Sequence, residues 1–399
     1  MNRGLRGKKI LLTGASGFVG ARLAECLTTA YGAEVHGLVR HLGTVGAARL
    51  ARLPGLKIFQ GDVRDLEAAR KAAQGCSHFI HCVTGTAGIY WQRKQEVVVG
   101  TQNILELAAN QGVERVVYFS SAAVHDPARS SEVIREESSM NGKFPASMKI
   151  SAERIVSAYH DRRGLPTVIL RPTAVWGPFS PTWTTLAAEL IRKGIPFLPL
   201  EGTGTANAVY IDNLVDAVYL SLTKTESVGQ GFLINDDEPK TWSELYGGYA
   251  RFLQTPLAFA PDSRRILHLL WVSFYNAGRI LHNAIAGKGP KGSSTVRDVY
   301  DYIPVVKVLV SILPEALQQQ LRTYAATTAR NLVRSSVQNS PQDLLQYSFI
   351  SRHVRELYGS RSRYSTEKAK QILGWTPRVS FHEALDRTCQ WLYYAGHKD

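Results

Sequence analysis

A glycine-rich turn close to the amino terminus constrains the fold of this chain more than any other feature. It reads Thr13-Gly14-Ala15-Ser16-Gly17-Phe18-Val19-Gly20 and follows a short apolar run at residues 9–13. Glycines permit a tight turn and close approach of the backbone to a phosphate, and the N-terminus of a following helix supplies free N–H groups and a favourable dipole. We therefore expect this turn to bind the pyrophosphate of a nucleotide. The expected contacts come from Gly14, Ser16, Gly17, Phe18, Val19 and Gly20.

The first half of the chain alternates short apolar runs with amphipathic segments. The predicted strands are 9–13, 35–39, 57–60, 78–82, 116–120 and 167–170, and the predicted helices include 18–29, 66–73 and 100–111. Alternation at this spacing is typical of the α/β class, with a doubly wound parallel sheet covered by helices on both faces. Ligands of such a sheet bind beyond the carboxyl ends of its strands, near the point where the strand order reverses.

The residues after the second and third predicted strands indicate which dinucleotide is bound. An acidic residue after the second strand would bind the ribose 2′-hydroxyl of NAD, but this chain has Arg40 there. Arginine suits a 2′-phosphate through charge-assisted hydrogen bonds, so NADP is favoured and NAD is the alternative. A solvated surface arginine is the other interpretation of Arg40. Asp62 and Val63 follow the third strand, and the Asp62 carboxylate is expected to accept a hydrogen bond from the adenine amino group.

The charge balance and the cysteines restrict the partners and the compartment of the chain. The formal net charge is +14 over 399 residues, but the basic residues are scattered, so we expect no nucleic-acid partner. Attraction to anionic membranes or phosphorylated ligands fits this charge better. The cysteines Cys26, Cys76, Cys82 and Cys389 form no CxxC pair. This predicts free thiols in a reducing, cytoplasmic compartment, and no metal site is expected.

The composition changes between residues 256 and 345. Two apolar runs, 266–275 and 305–313, are accompanied by basic residues and are each too short to span a bilayer. They predict a helical insert that contacts a membrane peripherally through 264–313 or covers an apolar ligand. Helices packed on the domain or on a second subunit, as in a homodimer, are the alternative.

Several further motifs follow in a fixed order along the chain. They are Gly61-Asp62-Val63, His81 and the segments 100–105, 119–124, 170–178, 210–217 and 373–377. Together with the glycine-rich turn, they resemble the extended short-chain dehydrogenase/reductase family, the NAD-dependent epimerase/dehydratase group. The resemblance implies a Rossmann-type NAD(P)-binding domain over residues 1–175, to which later segments contribute. It also implies a smaller substrate-binding part over 176–399, which includes the insert at 256–345, and a place for His81 beside the cofactor.

The resemblance also implies a catalytic arrangement, from which this chain departs at one position. In the family, a tyrosine exchanges a proton with the substrate oxygen, a serine hydrogen-bonds that oxygen, and a lysine lowers the tyrosine pKa and holds the nicotinamide ribose. Ser121 matches the serine and Lys149 the lysine, but Pro145 stands at the tyrosine position. Val97 likewise replaces a usual asparagine. His125 is one candidate for the missing proton donor; water or a substrate group is another.

The resemblance, together with Arg40, favours an NADP-dependent oxidoreductase. The apolar, basic insert is similar in position to the membrane-associating region of hydroxysteroid dehydrogenase relatives, which implies an alcohol or ketone of a hydrophobic small molecule as the substrate. By the resemblance, Thr84, Thr173 and Trp176 are expected to line the substrate site. Two alternatives stay open. One is an enzyme like the nucleotide-sugar epimerases and dehydratases. The other is a non-redox isomerase or lyase, or a cofactor-binding regulatory module, on the same fold.

Overall fold

The computed structural model describes residues 4–84, 90–125, 133–259 and 352–397. One compact unit comprises residues 1–194, 201–257 and 352–399, and a second comprises 195–200 and 258–351. Beyond residues 256–259, the predicted insert at 256–345 lies outside the described residues, as does the whole predicted membrane-contact segment 264–313. In the part of the chain that is described, no helix is long and apolar enough to cross a bilayer.

The described residues of the first unit form a seven-stranded sheet in which every neighbouring pair is parallel. The described strands, which also include four strands outside this sheet, are β1 (Lys9–Thr13), β2 (Glu34–Val39), β3 (Leu56–Gln60), β4 (His78–His81), β5 (Arg115–Phe119), β6 (Val133–Ile134), β7 (Thr167–Pro172), β8 (Ala174–Trp176), β9 (Ala208–Tyr210), β10 (Gly231–Ile234) and β11 (Arg363–Tyr364). The large sheet has the order β10-β7-β5-β4-β1-β2-β3, while β8 pairs with β9 and β6 with β11. The predicted α/β class and the six predicted strands are confirmed, with strand ends shifted by one or two residues.

The helices cover both faces of this sheet. They are α1 (Phe18–Thr29), α2 (Val45–Leu50), α3 (Leu66–Ala73), α4 (Tyr90–Lys94), α5 (Gly100–Gln111), α6 (Ala146–Arg163), α7 (Ala187–Arg192), α8 (Ile211–Thr223), α9 (Trp242–Leu253), α10 (Arg352–Gly359) and α11 (Phe381–Tyr394). A π-helical turn, Gln95–Val99, joins α4 to α5. Because side chains alternate along a strand, Ile10 and Leu12 of β1 pack with α1 and α8 on one face, and Leu11 packs with α3, α5 and α6 on the other.

The strand order reverses between β4 and β1, whose neighbours on the other side are β5 and β2. A parallel sheet with such a reversal opens a crevice beyond the carboxyl ends of the two central strands. The glycine-rich loop follows β1, and the residues after β4 and β5 reach the same edge. The fold therefore brings the candidate residues of these separate segments to one place.

The buried side chain of Asn213 in α8 attaches the last part of the chain to the sheet. Its amide group donates to the Val379 carbonyl at 3.0 Å, and its side-chain oxygen accepts from the backbone N–H groups of Arg378 and Val379 at 3.0 and 2.9 Å. The indole of Trp375, which is fully buried, donates to the backbone carbonyl of Asn213 at 2.9 Å. The motifs at 210–217 and 373–377 thus contact each other, although the sequence separates them widely.

Candidate active site

Two glycines of the glycine-rich loop, Gly14 and Gly20, are packed so tightly that a side chain could not replace them. Gly14 has φ +71°, and a Cβ there would meet the carbonyl oxygen of Cys82. A Cβ at Gly20 would meet the carbonyl oxygen of Gly14, so α1 begins directly against the loop. Gly17 is the N-cap of α1 and makes no side-chain capping hydrogen bond, which leaves the first N–H groups of the helix for an anion. This cradle fits a dinucleotide pyrophosphate.

The residues that open α1 lie where such an anion could reach them. Gly17 is exposed, while Ser16, Phe18 and Val19 are partly exposed. Gly46 in α2 packs directly against the backbone of Ser16, because a Cβ at Gly46 would meet the Ser16 carbonyl oxygen. Backbone atoms therefore pack closely against the loop on both sides.

Arg40, directly after β2, forms an ion pair that the sequence reasoning missed. Its Nη1 donates to Oε1 of Glu96 at 2.5 Å; the Arg40 side chain is 34% exposed and that of Glu96 only 2%. The other Glu96 oxygen, Oε2, is buried and has no hydrogen-bond partner among the described residues. The only sequence signal for Glu96 was an acidic residue within the apolar stretch that continues through Val97–Val99.

Asp62, after β3, already has a cationic partner. Its carboxylate accepts from the Arg64 backbone N–H at 2.8 Å and from the Arg64 guanidinium at 2.9 Å on each oxygen. These hydrogen bonds lower the pKa of Asp62. The neighbouring Val63 is covered by α5, because a Cβ at Gly100 would meet the Val63 side chain and Asn103 donates to the Val63 carbonyl at 3.0 Å.

His81 lies inside the sheet, with both ring nitrogens hydrogen-bonded. Nδ1 lies 2.7 Å from the Thr13 hydroxyl and Nε2 lies 3.2 Å from the Thr101 hydroxyl. Since the Thr101 hydroxyl donates to the Val97 carbonyl, it accepts from Nε2–H, and Nδ1 accepts from Thr13. Burial, with a smaller effect of the Lys149 charge, lowers the pKa of His81 to about 3. The ring is therefore neutral and ties β1, β4 and α5 together.

Lys149, in the first turn of α6, is fixed at the carboxyl ends of β4 and β5. Its Nζ donates to the carbonyl oxygens of Val83 at 2.7 Å and Phe119 at 2.6 Å. It also lies 5.0 Å from the ring centroid of Tyr118. The side chain is buried, and this burial lowers the pKa of Lys149 to about 8. The site thus holds a desolvated ammonium that is a stronger acid than the ammonium of an exposed lysine.

Position 145 and Ser121 complete this end of the site. Pro145 is the N-cap of α6 and is exposed, one turn before Lys149. It supplies no hydroxyl group. Ser121 follows β5, is partly buried, and accepts a hydrogen bond from the backbone N–H of Ala123 at 3.2 Å. The serine and lysine positions are therefore present on their expected elements, without an acidic hydroxyl between them.

His125 belongs to a buried network. Its Nε2 lies 3.4 Å from Nη1 of Arg171 and its Nδ1 lies 3.0 Å from the Ser138 carbonyl oxygen. A guanidinium only donates, so Nε2 accepts and Nδ1–H donates. Burial first, and the Arg171 charge second, lower the pKa of His125. Arg171 also pairs with buried Glu153 in α6 at 2.7 Å. His125 is thus held neutral, with both nitrogens engaged.

The three residues expected to line a substrate site have different surroundings. Thr84 is exposed, three residues beyond β4. Thr173 donates to Oδ1 of Asn235 at 2.9 Å. Trp176 is 2% exposed, packs edge-on against Tyr210 at 5.4 Å between ring centroids, and lines a cavity of about 220 Å³. Among the described residues, no group of three His, Cys, Asp or Glu side chains could hold a metal ion.

Comparison with known protein families gives a match over more than half of the chain. Residues 10–235 match the model of the NAD dependent epimerase/dehydratase family. The 2-alkyl-3-oxoalkanoate reductase of Stenotrophomonas maltophilia is 28% identical over 254 residues, which cover 59% of this chain and 73% of that protein. The 3 beta-hydroxysteroid dehydrogenase/Delta 5-->4-isomerase of Mycobacterium tuberculosis is 29% identical over 249 residues, 58% of this chain and 65% of that protein. The match thus spans less than two thirds of the dehydrogenase.

Solved structures match over nearly the whole length. The UDP-glucuronic acid 4-epimerase of Bacillus cereus, solved with NAD, aligns with a TM-score of 0.66 at 15% identity, over 98% of each chain. The UDP-glucose 4-epimerase of Thermotoga maritima, solved with UDP-glucose, gives 0.65 at 16% identity, over 97% of this chain and 99% of that one. At such low identity, these matches show that the chain shares their fold.

Proposed function

The chain belongs to the NAD-dependent epimerase/dehydratase family, and from this premise we propose that it is an NAD(P)-dependent oxidoreductase acting on a hydrophobic alcohol or ketone. Lys149 carries the proposal: it is desolvated and fixed by two backbone carbonyls at the edge of the sheet that also bears the glycine cradle. When bound, the cofactor donates or accepts a hydride at its nicotinamide ring. The remaining task of the protein is to place the substrate oxygen and to exchange a proton with it.

Lys149 is proposed as the group that exchanges this proton, in place of the absent tyrosine. In the reductive direction, a hydride reaches the carbonyl carbon, the Lys149 ammonium gives a proton to the oxygen, and the neutral amine regains a proton from water. Its pKa of about 8 keeps it protonated yet acidic enough for this role. Ser121 is proposed to donate a hydrogen bond to the same substrate oxygen. His125 is less suited, because both of its nitrogens are engaged.

NADP is proposed as the preferred cofactor, with NAD also accepted. Arg40 stands where an NAD-specific site has an acidic residue, and a third of its side chain is exposed. Its ion pair with Glu96 limits the charge that it can offer to a 2′-phosphate. We therefore expect a modest preference, measured as the ratio of the dissociation constants of NADH and NADPH. Equal constants would remove the proposed preference.

The hydrophobic substrate is supported by the names of two relatives. One is a reductase of 2-alkyl-3-oxoalkanoates and the other a dehydrogenase of 3 beta-hydroxysteroids. We propose a ketone or alcohol on a similar hydrocarbon skeleton. The test is incubation with stereospecifically deuterated NADPH and a panel of long-chain ketones, steroids and UDP-sugars. Deuterium in an apolar product supports the proposal; incorporation only with UDP-sugars favours the nucleotide-sugar alternative.

A second candidate is a cofactor-binding module without redox chemistry, and Pro145 favours it. The residue removes the usual proton donor and leaves the fold around it intact. This candidate predicts tight dinucleotide binding with no deuterium transfer and no exchange of substrate hydrogen across the whole panel. Isotope analysis is needed because an enzyme that recycles its cofactor internally shows no net absorbance change.

The sequence of the insert supports two proposed contacts, one with a membrane and one with a second copy of the chain. We propose that segment 264–313 binds anionic membranes peripherally, on the strength of its apolar and basic residues. Liposome flotation with and without anionic lipid tests this proposal, and recovery in the unbound fraction in both cases contradicts it. The proposed homodimer is tested by sedimentation of the full chain.

A further inference from the structure

Glu96 is a buried acid close to the proposed dinucleotide site, and none of the proposed chemistry uses it. It belongs to the π-helical turn between α4 and α5. Oε1 holds Arg40, whereas Oε2 is buried without a partner among the described residues. A buried, unpaired carboxylate oxygen costs free energy unless a donor reaches it. Oε2 is therefore an acceptor that a hydrogen-bond donor on a bound ligand can satisfy.

The position of Glu96 is set by packing with the neighbouring strand end. Asn103, one helix turn into α5, donates to the backbone carbonyls of Val63 and Arg64 at 3.0 and 3.2 Å. Gly100 lies directly on Val63. The π-helical turn and α5 are therefore attached to the residues after β3, and this attachment places Glu96 against Arg40.

Four charged groups share this neighbourhood. Arg64 hydrogen bonds chiefly lower the pKa of Asp62, with a contribution from Arg40. The hydrogen bond to Asp62 chiefly raises the pKa of Arg64, with a contribution from Glu96. Two positive and two negative charges thus compensate one another. A ligand group arriving here meets paired charges rather than an isolated arginine.

We propose that Glu96 determines cofactor specificity, by holding Arg40 and so limiting the preference for NADP over NAD. The proposal rests on the proposed binding of a dinucleotide at the glycine cradle. A 2′-phosphate that reaches Arg40 also approaches the Glu96 carboxylate, and like charges brought together in a buried site repel. The 2′-hydroxyl of NAD carries no charge and is a donor, so it satisfies Oε2. A phosphate dianion has no proton to donate to that oxygen.

The test compares dissociation constants of NADH and NADPH for the wild-type chain and Glu96→Gln, measured by calorimetry on the full-length protein. The amide keeps the size of the side chain and removes its charge. We expect the NADH-to-NADPH ratio of dissociation constants to rise about tenfold, because the Glu96 charge no longer compensates that of Arg40 or repels the 2′-phosphate. The matched control is Glu106→Gln in α5, whose carboxylate pairs with Arg163 at 2.7 Å and is 42% exposed. It should leave the ratio unchanged.

Each outcome decides the matter. An unchanged ratio in Glu96→Gln, or equal changes for both dinucleotides, overturns the role of Glu96 while the cofactor proposal stands. Failure of the wild-type chain to bind either dinucleotide overturns both. If Glu96→Gln does not fold, Glu96→Asp keeps the charge but withdraws the carboxylate from Arg40. The ratio should then move in the same direction by a smaller factor, and no movement overturns the proposal.

Discussion

The two ends of the candidate site differ in how closely the backbone packs around their residues. At the proposed pyrophosphate end, Gly14 and Gly20 lie so close to backbone atoms that a Cβ at either position would clash with them. At the proton-transfer end, the missing hydroxyl belongs to position 145, which is exposed and only caps α6. A Cβ at Gly14 or Gly20 therefore displaces backbone atoms, whereas the side chain at position 145 is open to solvent. We therefore expect the two ends of the candidate site to respond differently to substitution.

Lys149 is proposed both to hold the dinucleotide and to exchange the proton, so the largest effect of a substitution is expected there. Lys149→Met removes the proposed acid, and the reductive rate should fall roughly 10²–10⁴-fold. Dinucleotide affinity should fall only about tenfold, because one charged hydrogen bond is lost while the cradle stays. In the wild-type chain, the reductive rate should decline as pH rises through about 8, since only the ammonium form has the proton to give.

Two results would contradict the proposed role of Lys149 as the proton donor. A variant with unchanged turnover shows that another group moves the proton. A rate that declines only well above pH 8 would point to the same conclusion. Lys149→Arg serves as the charge-matched control: it keeps a cation but cannot release a proton, so its rate should stay as low as that of the methionine variant.

The glycine cradle should give the next largest effect, on binding. Gly14→Ala forces a Cβ against the Cys82 carbonyl at φ +71°. Misplacement of the loop should weaken both dinucleotides by on the order of a hundredfold, equivalent to about 2.7 kcal/mol. Gly7→Ala is the matched control: its φ is +79° and nothing lies within 4 Å of a Cβ there. Both variants bear the backbone cost of about 1–2 kcal/mol, so equal binding by the two would contradict the steric account.

A hydroxyl introduced at position 145 tests the proposed proton-transfer end of the site. Pro145→Tyr places a phenol one turn before Lys149 at an exposed position, where the larger side chain meets little obstruction. We expect turnover to rise about tenfold, a part of what a positioned general acid provides. Pro145→Phe has the ring without the hydroxyl and should not show the rise. Equal rates for the two variants would mean that the lost hydroxyl is not what limits the reaction.

The sequence predicted the elements well because their signals are local. The bounds of α1, α3 and α5 agree with the predicted helices 18–29, 66–73 and 100–111. Amphipathic periodicity and local caps, such as Asp65 before α3, mark these helices. By contrast, β10 is a short edge strand that was not predicted, since its four residues carry little pattern of their own.

The candidate site was predictable as a set of positions but not as a set of contacts. The sequence predicted that Arg40 follows the second strand, and the structure has it directly after β2. Lys149 lies in the first turn of α6. The partner of Arg40 is Glu96, 56 residues away, and Arg171 beside His125 is 46 residues away. Such pairs depend on how distant elements pack. No local pattern could therefore show that Arg40 was already in an ion pair or that His125 was already hydrogen-bonded at both nitrogens.

Substitution of His125 is expected to have the smallest effect on turnover. It tests whether the imidazole transfers a proton or only packs in the network with Arg171. His125→Gln replaces the imidazole by an amide, which offers an acceptor oxygen for Arg171 and a donor nitrogen for the Ser138 carbonyl but no ionisable group. If the imidazole only positions the loop after Ser121, turnover should change by less than about threefold and its pH profile should keep its shape. If the imidazole is itself the proton donor, turnover should fall as steeply as in Lys149→Met, because glutamine cannot ionise. Measuring the two variants side by side over the same pH range therefore assigns the proton to one of them.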